Sequence, residues 1–262
     1  KSPITTSSLA NKDLSLLQQF LPKDTEELYD IRSIIYALLD IGTFIEVQKE
    51  FAKNLVVGLG KLGDITVGIV ASQPIVDKGV VDCDAADKGA RFVNYCDAFN
   101  IPIITLADSM GFRMKAEEEK KGLIRHGAKL IYAYSEATTI KLTVIVRKAY
   151  GGPYILLGSK QLEGDRNYVW PKAQVAVMPA KSAVAVIYHS HRIEENPEAY
   201  ITARLSEYNK AYMNSKMVLD MGFVDRELEP SLTRDTLYQD ILDILKENKA
   251  PRINKKHGNS PV

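Results

Sequence analysis

Two short stretches carry the glycines best placed to do chemistry. "RKAYGGPY" sets Gly151 and Gly152 just past a strongly apolar run, 141–150. "LADSMGF" sets Gly111 just past another, 101–108. Glycine has no reactive side chain. It lets a backbone bend sharply and lets a ligand approach its N–H groups. Turns at the carboxyl ends of strands are where ligands bind in layered α/β proteins. Their amides, with nearby helix N-termini, can face an anion or a developing oxyanion. The residue after the glycine pair is Pro153, which has no N–H to give. From the residues alone, an oxyanion-binding turn and a plain tight corner both fit.

Side chains that usually carry catalysis do not converge. His126 sits inside a helical pattern, "LIRHGAKL", and reads as structural. His189 and His191 flank Ser190 at a helix end, where a cation suits the dipole. His257 belongs to a basic tail. None has a metal-site partner at a sensible spacing, so no metal is expected. Cys83 and Cys96 form neither a zinc motif nor a disulfide framework, which favours a reducing compartment. No Ser/His/Asp set is readable and GxxxxGK[ST] does not occur, while the GxGxxG spacing of Gly58, Gly60 and Gly63 opens no helix and so gives no support to a nucleotide site. "GLGKLG" lies between strand residues and reads as part of a hairpin. "EEEKK" (117–121) reads as a solvated first helical turn, and "ENKAPRINKKHGN" as an exposed basic tail.

The glycine turns need strands to end in them and helices to follow. The chain has 262 residues, 45% apolar and 26% charged, an ordinary globular composition. A net charge of +1 gives no global attraction for nucleic acid or an anionic membrane. No apolar run reaches the roughly 18 residues that span a bilayer. No transit-like arm is visible, which leans the location to the cytoplasm, with the mitochondrial matrix also open. Residues 1–28 are Ser/Thr-rich around a short apolar island, Leu14 to Leu21, closed by Pro22, and read as a linker or docking arm.

From Tyr29 the pattern changes. "YDIRSIIYALLD" has helical spacing, with Gly42 as its stop. "LVVGLGKLGDITVGIVASQP" is two apolar runs around Gly63-Asp64, a hairpin signal. A helix is expected over 84–99, a buried strand over 101–108, a long helix over 117–137 and a strand over 141–150. A short strand follows at 173–178 and a helix at 180–188. Asn196 reads as the cap of a helix running to about Met221. "GFVD" then reads as a short strand and 237–249 as a last helix. The strands are near-continuous apolar runs, so the sheet should be covered on both faces.

These residues, in this order, carry a resemblance. "YDIRSIIYALLDIGTFIEVQKEFAKNLVVGLGKLGDITVGIVASQP", "KGARFVNYCDAFNIPIITLADSMGF", "GLIRHGAKLIYAYSEAT", "RKAYGG", "NYVWPKAQVAVM" and "GFVDRELEPSLTR" resemble the C-terminal half of the biotin-dependent acyl-CoA carboxyltransferases. The match runs over residues 29–262 and is most similar to the propionyl-CoA or methylmalonyl-CoA type. It implies an α/β fold, the crotonase-like spiral of ββα units. It also implies carboxybiotin on a carrier protein as cofactor and an acyl-CoA as substrate. The implied partners are the N-terminal half, a biotin carboxyl carrier and a biotin carboxylase, in a homo- or hetero-oligomer.

By resemblance, Gly151 and Gly152 supply the oxyanion site for the biotin ureido oxygen. Gly111, Phe112, Gly122 and Pro153 border the cofactor, and Tyr154 and Ile155 shape the acyl pocket. The chain departs from the family at Pro153, where a small residue with a free N–H is usual. It departs again across Ser109–Lys115, and at Lys121, where a glycine is usual. Those changes are expected to bring Arg113, Lys115 and Lys121 near the biotin pocket. Three further readings stay open: the decarboxylase subunit of a biotin-dependent sodium pump, a non-catalytic carrier-docking module, and a crotonase-type hydratase or isomerase.

Overall fold

Runs rich in Val, Ile and Leu build the sheet, and the side chains alternate between two helical layers. The computed structural model describes residues 21, 22, 24, 26–188 and 197–247. The expectations for the linker before residue 21, His189, His191, the Asn196 cap and the tail with His257 lie outside the described residues.

The chain enters through helix α1 (Arg32–Leu38) and the short strand β1 (Ile45–Val47). Strands β2 (Leu55–Leu62) and β3 (Ile65–Ser72) pair antiparallel about Gly63-Asp64, with Leu62 opposite Ile65. Helix α2 (Cys83–Ala98) follows, its first turn capped by Asp82, whose carboxylate accepts the Ala85 N–H at 2.8 Å. Next come β4 (Ile103–Ser109), α3 (Ala116–Lys121), α4 (Leu123–Glu136) and β5 (Lys141–Tyr150). The chain goes on through α5 (Gly152–Leu156), β6 (Arg166–Val169), β7 (Gln174–Ala176), α6 (Ala180–Ile187), α7 (Pro197–Tyr212), α8 (Ser215–Asp220), β8 (Arg226–Glu227) and α9 (Thr233–Glu247).

All strands join one sheet in the order β1-β2-β3-β4-β5-β6-β8, with β7 pairing the far end of β5. The first three are antiparallel; from β3 onward the neighbours are parallel. One face carries Val57, Val70, Ile103 and Ile145 against Val93 of α2, Leu130 and Tyr134 of α4 and Leu156 of α5. The other carries Val56, Ile69, Ile104 and Val144 against Ile34 and Leu38 of α1 and Leu237 and Ile241 of α9. Burial on both faces is what continuous apolar strands require. Trp170, fully buried, donates its indole N–H to Thr233 Oγ1 at 3.0 Å and ties the sheet to α9.

Several expected boundaries shift. The first helix ends at Leu38, with Leu39 already extended, before Gly42. The long helix at 117–137 is two helices, because Gly122 adopts φ 89° and its N–H closes back on the Glu118 and Glu119 carbonyls. The helix to Met221 breaks at Asn214, whose side chain accepts the Met217 N–H at 3.0 Å and starts α8. The strand expected at "GFVD" forms directly after it, at Arg226–Glu227. "EEEKK" is not wholly solvated: Glu118 is buried, accepting the Cys83 N–H at 3.1 Å and the Lys121 ammonium at 3.1 Å.

Candidate functional site

Parallel pairing of β4 and β5, with Ser109 opposite Ala149, brings the two glycine turns together at the carboxyl end of the sheet. Gly111 has φ 125°, and a Cβ there would lie 3.8 Å from the Tyr150 carbonyl. The Gly111 carbonyl accepts the Val81 N–H and the Val81 carbonyl accepts the Arg113 N–H, each at 2.9 Å. Phe112 is thereby clamped. Its ring fills a slot between two glycines: a Cβ on Gly152 would stand 2.3 Å from the ring, and one on Gly127 would stand 3.1 Å away.

Gly151 has φ 61° and ψ −144°, a conformation for glycine. Its N–H is spent on the Ala176 carbonyl at 2.9 Å, which docks the turn on β7. Tyr154 donates its N–H to the Gly151 carbonyl at 3.2 Å. Pro153, buried at the start of α5, has no N–H. Gly152 is left exposed, and its N–H has no acceptor among the described residues.

Gly151 and Gly152 open on a cavity of about 780 Å³, within the size range of small-molecule sites. Tyr154 and Ile155 line it beside them. The opposite wall includes Val177 and Met178 after β7, Ala183 of α6, Tyr208 of α7 and Met217 of α8. Its surface is mainly apolar, with Gln161 and the tyrosines as polar points. The Tyr154 hydroxyl lies 3.3 Å from both Gln161 Oε1 and the Phe223 carbonyl. Burial raises its pKa, so it stays a neutral phenol. The rim is apolar and open: Val177 is 80% exposed and Val186 68%.

Of the residues picked out in the sequence, Gly151, Gly152, Tyr154 and Ile155 line the cavity. Gly111, Phe112 and Pro153 sit behind the turn and fix it. Gly122 spends its N–H within the helix break. The three cations expected near the pocket do not line the cavity. Arg113 pairs with Asp77 at 2.9 Å and Asp82 at 2.5 Å, and Lys121 pairs with Glu118. Lys115 stands exposed before α3. His126 contacts Asp87 at 2.9 Å, as a structural residue would. Cys83 and Cys96 are buried and their thiols are pushed up, to about 11 and about 12, with burial as the main cause.

Sequence reading missed the wall from α6 to α8 and the Phe112 slot. Gly127, alone inside a helical pattern, was the available signal, because such a glycine usually has a packing reason. Among the described residues no group of three or more His, Cys, Asp or Glu is placed to hold a metal, and no helix is long and apolar enough to cross a membrane.

Comparison with known proteins places this site in context. The carboxyl transferase domain family matches residues 1–260. The propionyl-CoA carboxylase carboxyltransferase subunit of Haloferax mediterranei is 45% identical over 247 residues, covering 94% of this chain and 48% of that protein. The mitochondrial propionyl-CoA carboxylase beta chain of Sus scrofa is 46% identical over 246 residues, covering 94% and 44%. Transcarboxylase 12S, solved with methylmalonyl-coenzyme A and methylmalonic acid bound, superposes with a TM-score of 0.89 at 39% identity, covering 96% of this chain and 49% of that one. The geranyl-CoA carboxylase beta subunit of P. aeruginosa superposes with a TM-score of 0.81 at 25% identity, covering 96% and 48%. The fold is that of these crotonase-like carboxyltransferases. The chain spans about half the length of the relatives it matches.

Proposed function

The chain belongs to the carboxyl transferase domain family, and from that premise we propose that it forms the biotin-side half of an acyl-CoA carboxyltransferase. The observation that carries this reading is Gly152, an exposed amide with no internal acceptor at the mouth of an apolar cavity. N-carboxybiotin, when bound, supplies the carboxyl group and the nitrogen that takes the acyl α-proton. The Gly152 N–H donates to the oxygen that gains negative charge as the carboxyl group departs. Gly111, Phe112 and Pro153 hold that amide in place, and Gly122 contributes through the helix break beside them. The apolar walls suit a bicyclic ring, and the residues present fit it with one amide donor rather than two. Tyr154 and Ile155 border a propionyl-like acyl group.

An N-terminal half brings the thioester-side contacts and docks on the apolar rim, and a biotin carboxyl carrier and biotin carboxylase complete the assembly. The neighbour transcarboxylase 12S is a hexamer, which supports an oligomeric state here as well.

The test adds the N-terminal half of a propionyl-CoA carboxylase beta chain and follows ATP-independent carboxyl transfer between free biotin and methylmalonyl-CoA. Transfer is expected, and Pro153→Ala should raise it by restoring an N–H. One oxyanion donor is worth about 2.7–4 kcal/mol, so the ceiling is roughly 10²–10³-fold. Halves that associate but show no transfer, with the wild-type chain and with Pro153→Ala alike, would overturn the reading. The single free amide favours a second reading, a carrier-docking module. It predicts binding of biotinylated carrier without turnover in both proteins.

A further inference from the structure

Charged side chains gather at the carboxyl ends of β4 and β5, beside the glycine turn but outside its cavity. They are Lys78, Asp108, Arg147 and Lys148, joined by Glu26 from the segment before α1. Asp108 is held through one oxygen: its Oδ2 accepts from the Tyr29 hydroxyl at 2.8 Å and from Arg147 Nε at 2.9 Å. Arg147 also donates to the Glu27 carbonyl at 2.6 Å and lies 4.9 Å over the Tyr29 ring. Lys148 differs. Its side chain is only 4% exposed, and its one described acceptor is Glu26 Oε1 at 2.6 Å. Lys78 Nζ stands 3.8 Å from the other Glu26 oxygen. A buried ammonium needs a counter-ion. Here that ion is a carboxylate whose side chain is itself 60% exposed.

Two backbone irregularities converge on this spot. Asp77, Lys78 and Gly79 are three successive left-handed residues, at φ 48°, 55° and 65°. They are packed so closely that a Cβ on Gly79 would lie 2.3 Å from the Asp108 carbonyl. Between the pairs Ala107–Ile145 and Ser109–Ala149, β4 advances two residues while β5 advances four. The extra length re-aims Arg147 and Lys148 just where the partner of β5 changes from β6 to β7. Strained backbone and bulges of this kind gather at ligand sites.

We infer that Lys78 and Lys148 form a small-oxyanion site, filled in this conformation by the chain's own Glu26 carboxylate, and that it takes a carboxylate, bicarbonate or phosphate group when Glu26 swings out. Arg147 holds the Glu27 carbonyl, so the segment stays anchored while the Glu26 side chain turns toward solvent. Asp108 is already paired with the Arg147 guanidinium, which offsets its charge beside the two lysines. Lys148, the main cause, holds the Glu26 carboxyl below its usual range, consistent with an anion seated on cations. The site stands independently of the carboxyltransferase reading.

Thermal unfolding of the whole chain tests it at pH 8 and constant ionic strength. In chloride, Glu26→Gln should melt below the wild type, because Lys148 loses its counter-ion. Replacing chloride in separate arms by phosphate, bicarbonate or acetate should raise the Glu26→Gln midpoint saturably toward wild type. The anion acting at the lowest concentration identifies the ligand. The wild type should respond much less, since Glu26 must be displaced. Adding Lys148→Met to Glu26→Gln should abolish the response, with Lys78→Met as the alternative if that protein does not fold. A gap that no anion narrows, or an equal shift in every variant, would overturn the proposal.

Discussion

At the scale of single residues, Gly152 has two jobs that pull apart. It lines the cavity with an N–H that has no acceptor among the described residues, while its missing side chain makes room for Phe112. A valine or alanine there therefore does more than alter an oxyanion donor; it drives a methyl into an aromatic ring. Gly152→Ala should lose about 1–3 kcal/mol of stability, the usual cost of overpacking a core. Phe112→Leu in the same background should recover part of it. Urea denaturation of the two proteins checks this, and an undisturbed Gly152→Ala midpoint would refute the slot. Glu118 yields a second residue-scale expectation. The Cys83 N–H, first among its partners, holds its carboxyl down to about 2, against 4.5 for the free group. A depressed folded pKa contributes stability above the unfolded value and loses it as pH falls from 4.5 toward 2. The midpoint gap between wild type and Glu118→Gln should thus be largest near pH 7 and shrink below pH 4.5. A gap independent of pH would mean that packing, not charge, is what Glu118 provides. Sequence alone places both glycine turns, because glycine after a buried strand is a local signal. It presents Glu118 as solvated because burial of one acid in "EEEKK" depends on the distant Cys83 amide.

At the scale of elements, periodicity locates what is long and misses what is short. The hairpin about Gly63 and strands 103–109 and 141–150 are legible because runs of apolar β-branched residues can fit only a covered sheet. Helix α5 reads as part of a turn, although Pro153 near its first position is the available sign of a helix start. Strand β6 goes unread because Asn167 and Arg166 interrupt the apolar pattern; its partners are set by the sheet, not by local sequence. Gly122 and Asn214 each break a helix that periodicity alone would run through. Gly122→Ala forces a side chain into the left-handed region and should cost about 1–2 kcal/mol. Asn214→Ala removes the cap on α8 and should cost about 1 kcal/mol. The two sites make no described contact with each other, so in chemical denaturation the double variant should show the sum of the single losses.

At the scale of the whole molecule, the cavity is open on one side. Gly151 and Gly152 and the α5 residues form one wall, α6 to α8 another, and the rim is open and apolar. An exposed apolar patch on this scale marks an interaction surface. The chain spans about half the length of the relatives it matches, and on the proposed reading the N-terminal half covers the rim. Val177 is the sharpest probe, being 80% exposed and on the cavity edge. Val177→Asp changes no buried contact, so the isolated chain should keep its stability within about 0.5 kcal/mol. Association with the N-terminal half should weaken strongly, because a carboxylate would be desolvated against an apolar face without a partner. Sedimentation of the mixed halves reads the association, and urea denaturation of the chain alone reads the fold. Undiminished association would place the interface elsewhere and leave the cavity to a ligand alone. Lost association with an intact fold would make the rim the surface on which the active centre is completed.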